Sequence, residues 1–530
     1  MSRRHQLKKA GDGLFQPASG DGMPRLAPER RRDLAALAAG AAMPAAFAPL
    51  GWAPLAPLAL AVLFHLWRRP GAVAAARRGF LFGLGQFGVG VSWVFNSLHD
   101  FGNMALPLAV LAVALFVAYL SLYPALAGAL QARLAPRGRA PWLAAPALWT
   151  LAEWLRGRLL TGFPWLEAGY SQAGWPLDGL APWLGVHGVT FGVALVAALL
   201  AAAAGARRRW AWLAAAAVVV AAAWGAGLKA WSRPAGDPLP VALVQGNVPL
   251  AEKWDPRRRG AILRRYLELT RSLPGARLVI WPEAAIPGFW DAVPTDYRRA
   301  LEAWAAAREG AVLVGVLERR LEGGRLAYYN TVQVVGARPA AYRKHHLVPF
   351  GEYPPLPPLT RWFMERFDIP MSDFTAASPP AGPVEAAGLS LGITICYEDA
   401  FPRDLRPLLP EAGVLVNVSE DAWFGNSLGP WQRLQMARMR ARESERPVLR
   451  VANTGVSAVI GPRGELEAYT PQFAVRTLAA RVQPRAGATP YVRWGDGPLL
   501  LWLGGMLVWA AWRRRGRQVR PPGVSAGAGG

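Results

Sequence analysis

Cysteine is nearly absent from this chain: one residue, Cys396, among 530. A lone thiol excludes an internal disulfide and a cysteine-based zinc cluster, and leaves either a small apolar filler or a nucleophile. Neither a metal nor a cofactor is expected. Acidic residues are also scarce, 35 against 59 Lys and Arg, for a net charge of +24. Such an excess suggests nucleic acid, but roughly three-quarters of it lies outside residues 238–486, mostly in short stretches between apolar runs. Topology therefore explains the charge, and no nucleic-acid partner is expected. Ionisable groups are few inside those runs apart from Glu153 near one end, so no ion or proton path is evident.

What the chain has in abundance is apolar length. Candidate membrane spans run over 33–50, 51–67, 79–97, 104–130, 141–155, 186–205, 210–230 and 498–512, about eight crossings. Arginine clusters precede the first span, at Arg30–Arg32, and follow every second one, at Arg68–Arg78, Arg133–Arg139, Arg207–Arg209 and Arg513–Arg517, whereas His99-Asp-Phe-Gly-Asn103 has none. By the positive-inside rule both termini are cytoplasmic and the region 232–497 lies outside. The expected order is a tail at 1–32, a transmembrane bundle at 33–231, an external domain at 238–486, a last helix at 498–512 and a tail at 513–530. The long charged stretch before Asp33, and an apolar run leading straight into a second span, favour an uncleaved anchor over a signal peptide.

Between Pro238 and Pro484 the period changes. Short β-branched runs at 241–248, 277–281, 312–317, 331–335, 389–396, 414–418, 448–452 and 457–460 read as buried strands, and 256–272, 295–308 and 430–444 as helices. Strands buried on both faces with helices between them predict an α/β sandwich. Chemistry in such sheets gathers just past strand ends. Three ionisable residues occupy such places: Glu283 in Leu278-Val-Ile-Trp-Pro-Glu283, Lys344 in Tyr342-Arg-Lys-His-His-Leu-Val-Pro-Phe-Gly-Glu-Tyr353, and Cys396 in Leu391-Gly-Ile-Thr-Ile-Cys-Tyr-Glu398. Each alone has an ordinary explanation, as a helix-start acid, a solvated basic run and a core thiol.

Together the three resemble the Glu-Lys-Cys constellation of the nitrilase superfamily. The resemblance narrows to the apolipoprotein N-acyltransferases, its integral-membrane members, on an ordered set of motifs. These include Gly90-Val-Ser-Trp-Val-Phe95, Thr161-Gly-Phe-Pro-Trp165, Gly169-Tyr-Ser-Gln172, Gln245-Gly-Asn247 and Lys253-Trp-Asp255. They continue through Trp281-Pro-Glu283, His346-Leu-Val-Pro-Phe-Gly-Glu-Tyr353, Cys396-Tyr-Glu398, Asp421-Ala-Trp-Phe-Gly425 and Trp431-Gln432 with Gln435-Met-Ala-Arg438. Glu420 departs from the pattern where Asn is expected, and is read as a local loop change without catalytic bearing.

The resemblance implies a nitrilase-like αββα sandwich inserted before the last helix of an about eight-helix bundle. It also implies a bacterial inner-membrane location with the sandwich periplasmic, a phospholipid acyl donor and a diacylated apolipoprotein acceptor. Glu283 is then the general base, Cys396 the thioester-forming nucleophile and Lys344 the oxyanion partner. Glu352 is expected to orient Lys344, Tyr397 and Glu398 to support the nucleophile, and Trp254 to face substrate. A Cys-His dyad through His345 or His346 is disfavoured, since no third group is visible to orient either ring. Apolar residues at Trp362–Ile369, after the Pro-rich stretch 349–358, suggest a lid that dips into the membrane. A membrane-tethered amidase using the same thioester, or a silent scaffold with this fold, are the competing functions.

Overall fold

A computed structural model describes residues 27–68, 70–134, 141–355, 360 and 373–518. Helices cover every stretch expected to span: Pro28–Ala42, Leu55–Leu66, Ala72–Gly90, Leu106–Leu134, Pro141–Arg156, Ala181–Ala203, Arg209–Ala226 and Gly497–Gln518. Three stretches, Leu106–Leu134, Pro176–Ala203 and Arg209–Ala226, are helical, long and apolar enough to cross a membrane, and Leu55–Leu66 and Gly497–Trp512 are shorter apolar helices. The expected 33–50 span is interrupted at Met43-Pro44, where the chain tightens into a 3₁₀ turn, Met43–Ala46. The 79–97 span likewise stops at Gly90 and resumes as the short helix Val94–His99. The helices approach closely where side chains are smallest. A Cβ on Gly79 would collide with the Pro124 carbonyl, and one on Gly85 with the Leu37 carbonyl, so these glycines set the backbone spacing. Glu153 is tied into this packing by Trp149 Nε1 at 2.9 Å, Ala168 N at 3.0 Å and Thr190 Oγ1 at 2.9 Å.

The region after 231 folds into two facing sheets. One runs in the order Arg476–Val482, Leu239–Gln245, Leu278–Ile280, Ala311–Glu322, Arg325–Gly336, Ala340–Arg343; the other runs Leu466–Tyr469, Ala458–Ile460, Val448–Ala452, Val414–Ser419, Leu389–Ile395, Val384–Ala386. The central strands pair in parallel, Val241 with Leu278 and Leu278 with Ala311 in one sheet, Val414 with Leu391 and Leu415 with Val448 in the other. Alternation along a strand divides its side chains between two cores. Val241 and Leu243 join Ile393, Val416 and Val451 between the sheets, whereas Ala242 and Val244 face Leu263, Tyr266 and Trp304 of the outer helices Arg259–Arg271 and Thr295–Ala306. Each large aliphatic side chain so buried contributes about 1.5–3 kcal/mol. The helix Gly429–Ser444 covers the second sheet, with Leu434, Ala437 and Ala441 on Leu415, Val448 and Ile460. The layers are thus helix, sheet, sheet, helix, as expected.

Among the described residues seven strands escaped the sequence: Ser232–Pro234, Ile286–Phe289, Ala340–Arg343, Val384–Ala386, Leu466–Tyr469, Arg476–Val482 and Arg485–Gly487. They lie at or next to sheet edges, where a half-wet face leaves no continuous apolar run. The sandwich sits directly on the helical part. Trp93 Nε1 donates to Gln432 Oε1 at 3.1 Å, Gln432 Nε2 to the Gly90 carbonyl at 2.9 Å, Ala48 N to Gln435 Oε1 at 3.0 Å and Val186 N to Glu443 Oε1 at 2.7 Å. Several motifs noted in sequence, among them Trp431-Gln432 and Gln435, therefore belong to this seam. The suggested Trp362–Ile369 lid lies outside the described residues.

Candidate active site

Each of the three candidate groups follows a strand. Trp281-Pro282 ends Leu278–Ile280 because proline has no N–H for the ladder, and Glu283 comes next. Lys344 directly follows Ala340–Arg343, and its N–H is held by the Asn330 carbonyl at 2.9 Å. Cys396 directly follows Leu389–Ile395 and opens the 3₁₀ turn Cys396–Ala400 with φ of 50°. A left-handed conformation in a non-glycine residue costs on the order of 1–3 kcal/mol and persists only where neighbours hold it. One of those neighbours is Glu398, whose carboxylate accepts from Ile395 N at 2.7 Å across the turn.

Glu283 bridges the two sheets and is nearly buried, at 7% exposure. Its Oε1 accepts from Asn330 Nδ2 at 2.7 Å, in the first sheet, and its Oε2 from the backbone N–H of Glu420 at 2.8 Å, just past Val414–Ser419 in the second. Lys344 is buried with Nζ 2.8 Å from both oxygens of Glu352 and 3.7 Å from Glu283 Oε1. Burial opposes its charge, but Glu352, Glu283 and the thiol override that and hold the ammonium above the ordinary lysine range. A fixed cation between two carboxylates is suited to stabilising a developing oxyanion.

The Cys396 thiol is pushed up to about 11, chiefly by burial and next by the charge of Glu283, while Arg433 and Lys344 pull the other way. At neutral pH it is therefore a protonated thiol that needs a base in the reaction itself. Among the described residues the side-chain hydrogen bond reaching its sulfur comes from Arg433 Nη1, at 3.2 Å.

The supporting residues divide. Glu352 grips Lys344 and also accepts from Val348 N at 2.8 Å. Glu398 is fully buried and collects Tyr342 Oη at 2.8 Å, His345 N at 2.8 Å and His346 N at 3.1 Å, tying the Lys344 loop to the Cys396 turn. Burial works against its charge, but the His345 ring and the Ile395 N–H hold its carboxyl below the usual range. Tyr397 points away from the thiol: its Oη donates to the Gly162 carbonyl at 2.7 Å and its ring stacks on Trp165. Trp254 is exposed at the end of the short helix Leu250–Lys253, next to a lysine that does reach the site. Among the described residues no group of three or more His, Cys, Asp or Glu is arranged to hold a metal ion.

Two expectations need correcting. Glu420 is not a remote loop change: its backbone holds Glu283, and its carboxylate pairs with buried Lys253, whose Nζ also donates to the Glu283 carbonyl at 3.1 Å. The histidines do have orienting groups. His345 Nδ1 lies 2.9 Å from Glu398 Oε1, and His346 Nδ1 lies 2.5 Å from Asp404 while its ring stacks on Phe401. Those contacts use each ring on its own acid, and the sulfur has Arg433 instead. Arg433 and Asn330 were missed because polar residues inside a helix or strand read as solvated, and the Lys253–Glu420 pair because its members lie 167 positions apart in the chain.

Residues 39–199 match the family model for the apolipoprotein N-acyltransferase N-terminal domain, and residues 240–491 that for carbon-nitrogen hydrolase. An apolipoprotein N-acyltransferase of Methylococcus capsulatus is 45% identical, over 92% of this chain and 99% of that one. The chain belongs to the apolipoprotein N-acyltransferase family. Family members from Nitrosomonas europaea, 44% identical over 90% of this chain and 96% of its own, and from Azotobacter vinelandii, 43% over 93% and 98%, are similar throughout. The similarity spans both the helical part and the sandwich of this apolipoprotein N-acyltransferase family member, so the seam between them belongs to the same alignment as the thiol.

Proposed function

We propose that the chain transfers an acyl group from a membrane phospholipid, through a thioester on Cys396, to the N-terminal amine of a diacylglyceryl-cysteine on an apolipoprotein. The observation that carries this reading is the meeting of Glu283, Lys344 and Cys396 at adjoining sheet ends, in a chain whose relatives bear that activity in their names.

Glu283 takes the thiol proton as sulfur attacks the ester carbonyl, so the thiolate exists only transiently. Lys344, with the backbone N–H of Tyr397, faces the negative oxygen of the tetrahedral intermediate. Collapse breaks the ester C–O bond; the leaving alkoxide recovers the proton from Glu283 and departs as lysophospholipid. In the second half, Glu283 takes a proton from the incoming amine as its nitrogen attacks the thioester. Collapse expels the Cys396 thiolate, which regains that proton, and leaves an amide. One nucleophile serving two substrates is a ping-pong scheme. Glu352 keeps Lys344 aimed, Glu398 holds the two loops together, and Trp254 offers an exposed aromatic face to lipid or lipopeptide.

The helices over all eight expected spans support a multi-pass bundle in a bacterial inner membrane, with the sandwich inserted before the last helix. Arginine-rich connections on alternate sides support cytoplasmic termini and a periplasmic sandwich. The test is to incubate the purified chain in phospholipid nanodiscs, trap the acyl-enzyme and chase with a diacylated lipopeptide. Acyl mass on Cys396 that moves to the peptide amine is the expected result. No thioester, or release only as free fatty acid, would overturn the reading, the latter in favour of hydrolysis.

A further inference from the structure

We propose that Arg433 is a catalytic residue of this chain, a clamp that grips Cys396 at both its sulfur and its carbonyl and stabilises the thiolate as it forms. The proposal rests on Cys396 being the nucleophile.

Arg433 projects from the helix Gly429–Ser444 and is fully buried. Such a guanidinium needs anions, and it has two: Asp399 Oδ1 at 2.8 Å from Nη2 and Asp421 Oδ1 at 3.3 Å from Nη1. Arg450 closes the ring from the other side, 3.3 Å from Asp399 Oδ2 and 2.7 Å from Asp421 Oδ2. Two cations and two anions paired in a closed ring hold the Arg433 fork in place. Its two terminal nitrogens also both reach Cys396. Nη1, which also donates to Ser419 Oγ at 2.7 Å, lies 3.2 Å from Cys396 Sγ, and Nη2 lies 2.6 Å from the Cys396 carbonyl.

Two consequences follow from that fork. Gripping the carbonyl fixes the left-handed turn at φ of 50°, so the sulfur is aimed by the backbone and by its own hydrogen bond at once. Donation to sulfur also favours the charged form over the neutral thiol, opposing burial and Glu283. Lys344 is placed differently: its Nζ is engaged by Glu352 and lies near Glu283. The labour divides, with Arg433 serving the sulfur and Lys344 the substrate oxygen. A planar fork with parallel donors is required, which makes lysine an incomplete substitute.

Because Cys396 is the sole cysteine, iodoacetamide reports on this directly: the thiolate displaces iodide and one alkyl mass appears. The experiment uses the full chain in nanodiscs and follows alkylation by intact mass from pH 7 to 10. Wild type is compared with Arg433→Gln, Arg433→Lys and the double variant Arg433→Gln/Asp399→Asn. The double variant removes one charge of each sign, so the ring stays neutral and the fold is kept if the single glutamine change unfolds it. Expected is a fall of about tenfold or more in rate at pH 8 for both glutamine variants, the equivalent of one pKa unit, with partial recovery for lysine. A wild-type rate in either glutamine variant, with unchanged thermal unfolding, would overturn the clamp. Thioester trapping in the wild-type chain tests the nucleophile assignment separately, since alkylation needs no acyl donor.

Discussion

Lys344 Nζ sits 2.8 Å from both carboxylate oxygens of Glu352, a two-pronged grip that leaves the ammonium no choice of position. The same Nζ is 3.7 Å from Glu283, so the cation stands between an orienting acid and the proposed base. Glu352→Gln keeps one oxygen acceptor but loses the paired charge. Lys344 then leans toward Glu283, away from the substrate oxygen. An oxyanion donor displaced by about 1 Å costs about 10²-fold, so thioester formation should slow by that factor while lipid binding is retained. Single-turnover acylation in nanodiscs reads both quantities.

Glu283 should act on the thiol in two opposite ways. Its charge raises the thiol, so in the resting chain Glu283→Gln lets the thiolate form at lower pH and alkylation by iodoacetamide at pH 8 speeds up several-fold. The same change removes the proposed base for acyl transfer, and catalysis should fall by about 10²–10⁴. A single substitution that makes Cys396 more reactive to a small electrophile and nearly inert to phospholipid separates a base from a structural acid. In the unaltered chain, with the thiol near 11, alkylation should climb about tenfold per pH unit between 7 and 10.

Much of this site was legible in the sequence because strands end abruptly. The apolar runs before Glu283 and Cys396 stop at a proline and at a thiol, and the helix-sheet-sheet-helix layering follows from eight such runs. Lys344 was found by its motif, although the strand in front of it, Ala340–Arg343, has too little apolar content to be seen. Arg433 was not legible. Its helix carries buried Gln432, Arg433, Gln435, Arg440, Arg442 and Glu443, so beyond the narrow stripe of Leu434, Ala437 and Ala441 it reads as a solvated helix. It is polar because it fills the junction of the sandwich and the membrane helices, and a junction leaves no periodic trace. Glu420 failed for a related reason: its effect on Glu283 passes through its own backbone N–H and through Lys253, 167 positions away in the chain.

Glu398→Gln tests the link between the Lys344 loop and the Cys396 turn. The carboxylate accepts from Ile395, His345 and His346 N–H groups and the Tyr342 hydroxyl, whereas an amide offers one acceptor oxygen and turns two hydrogens toward donors. Leaving such buried donors unpaired should cost about 3 kcal/mol of stability. The sign of its pH dependence is fixed by a carboxyl held below its usual range. Its contribution is present above the unfolded value near 4.3 and lost as pH falls through the depressed folded one. Thermal unfolding of the wild type should therefore drop on acidification below about pH 4 more steeply than that of the glutamine variant.

The Lys253–Glu420 pair offers a double-mutant cycle at the rear of the base. Both side chains are almost wholly buried, at 2% and 5% exposure, and both reach Glu283, one through the carbonyl and the other through the N–H. Asn453 Nδ2 adds a bond to Glu420 Oε2 at 3.0 Å and another to the Val248 carbonyl at 2.8 Å, so the pair also anchors the segment leading to Trp254. Lys253→Met strands an anion beside Glu283, and Glu420→Gln strands a cation; each buried charge left alone costs about 3–5 kcal/mol. The double variant restores neutrality and should recover most of that stability, since a buried pair can often be replaced by apolar or neutral groups without net loss. Activity should not recover in parallel. The Lys253 bond to the Glu283 carbonyl is missing in the double variant, so the base is less firmly aimed and acylation stays reduced about tenfold while Tm returns. Equal recovery of Tm and acylation would mean that the pair serves the fold alone. Recovery of Tm without acylation would identify it as the support that holds the base in line with Cys396.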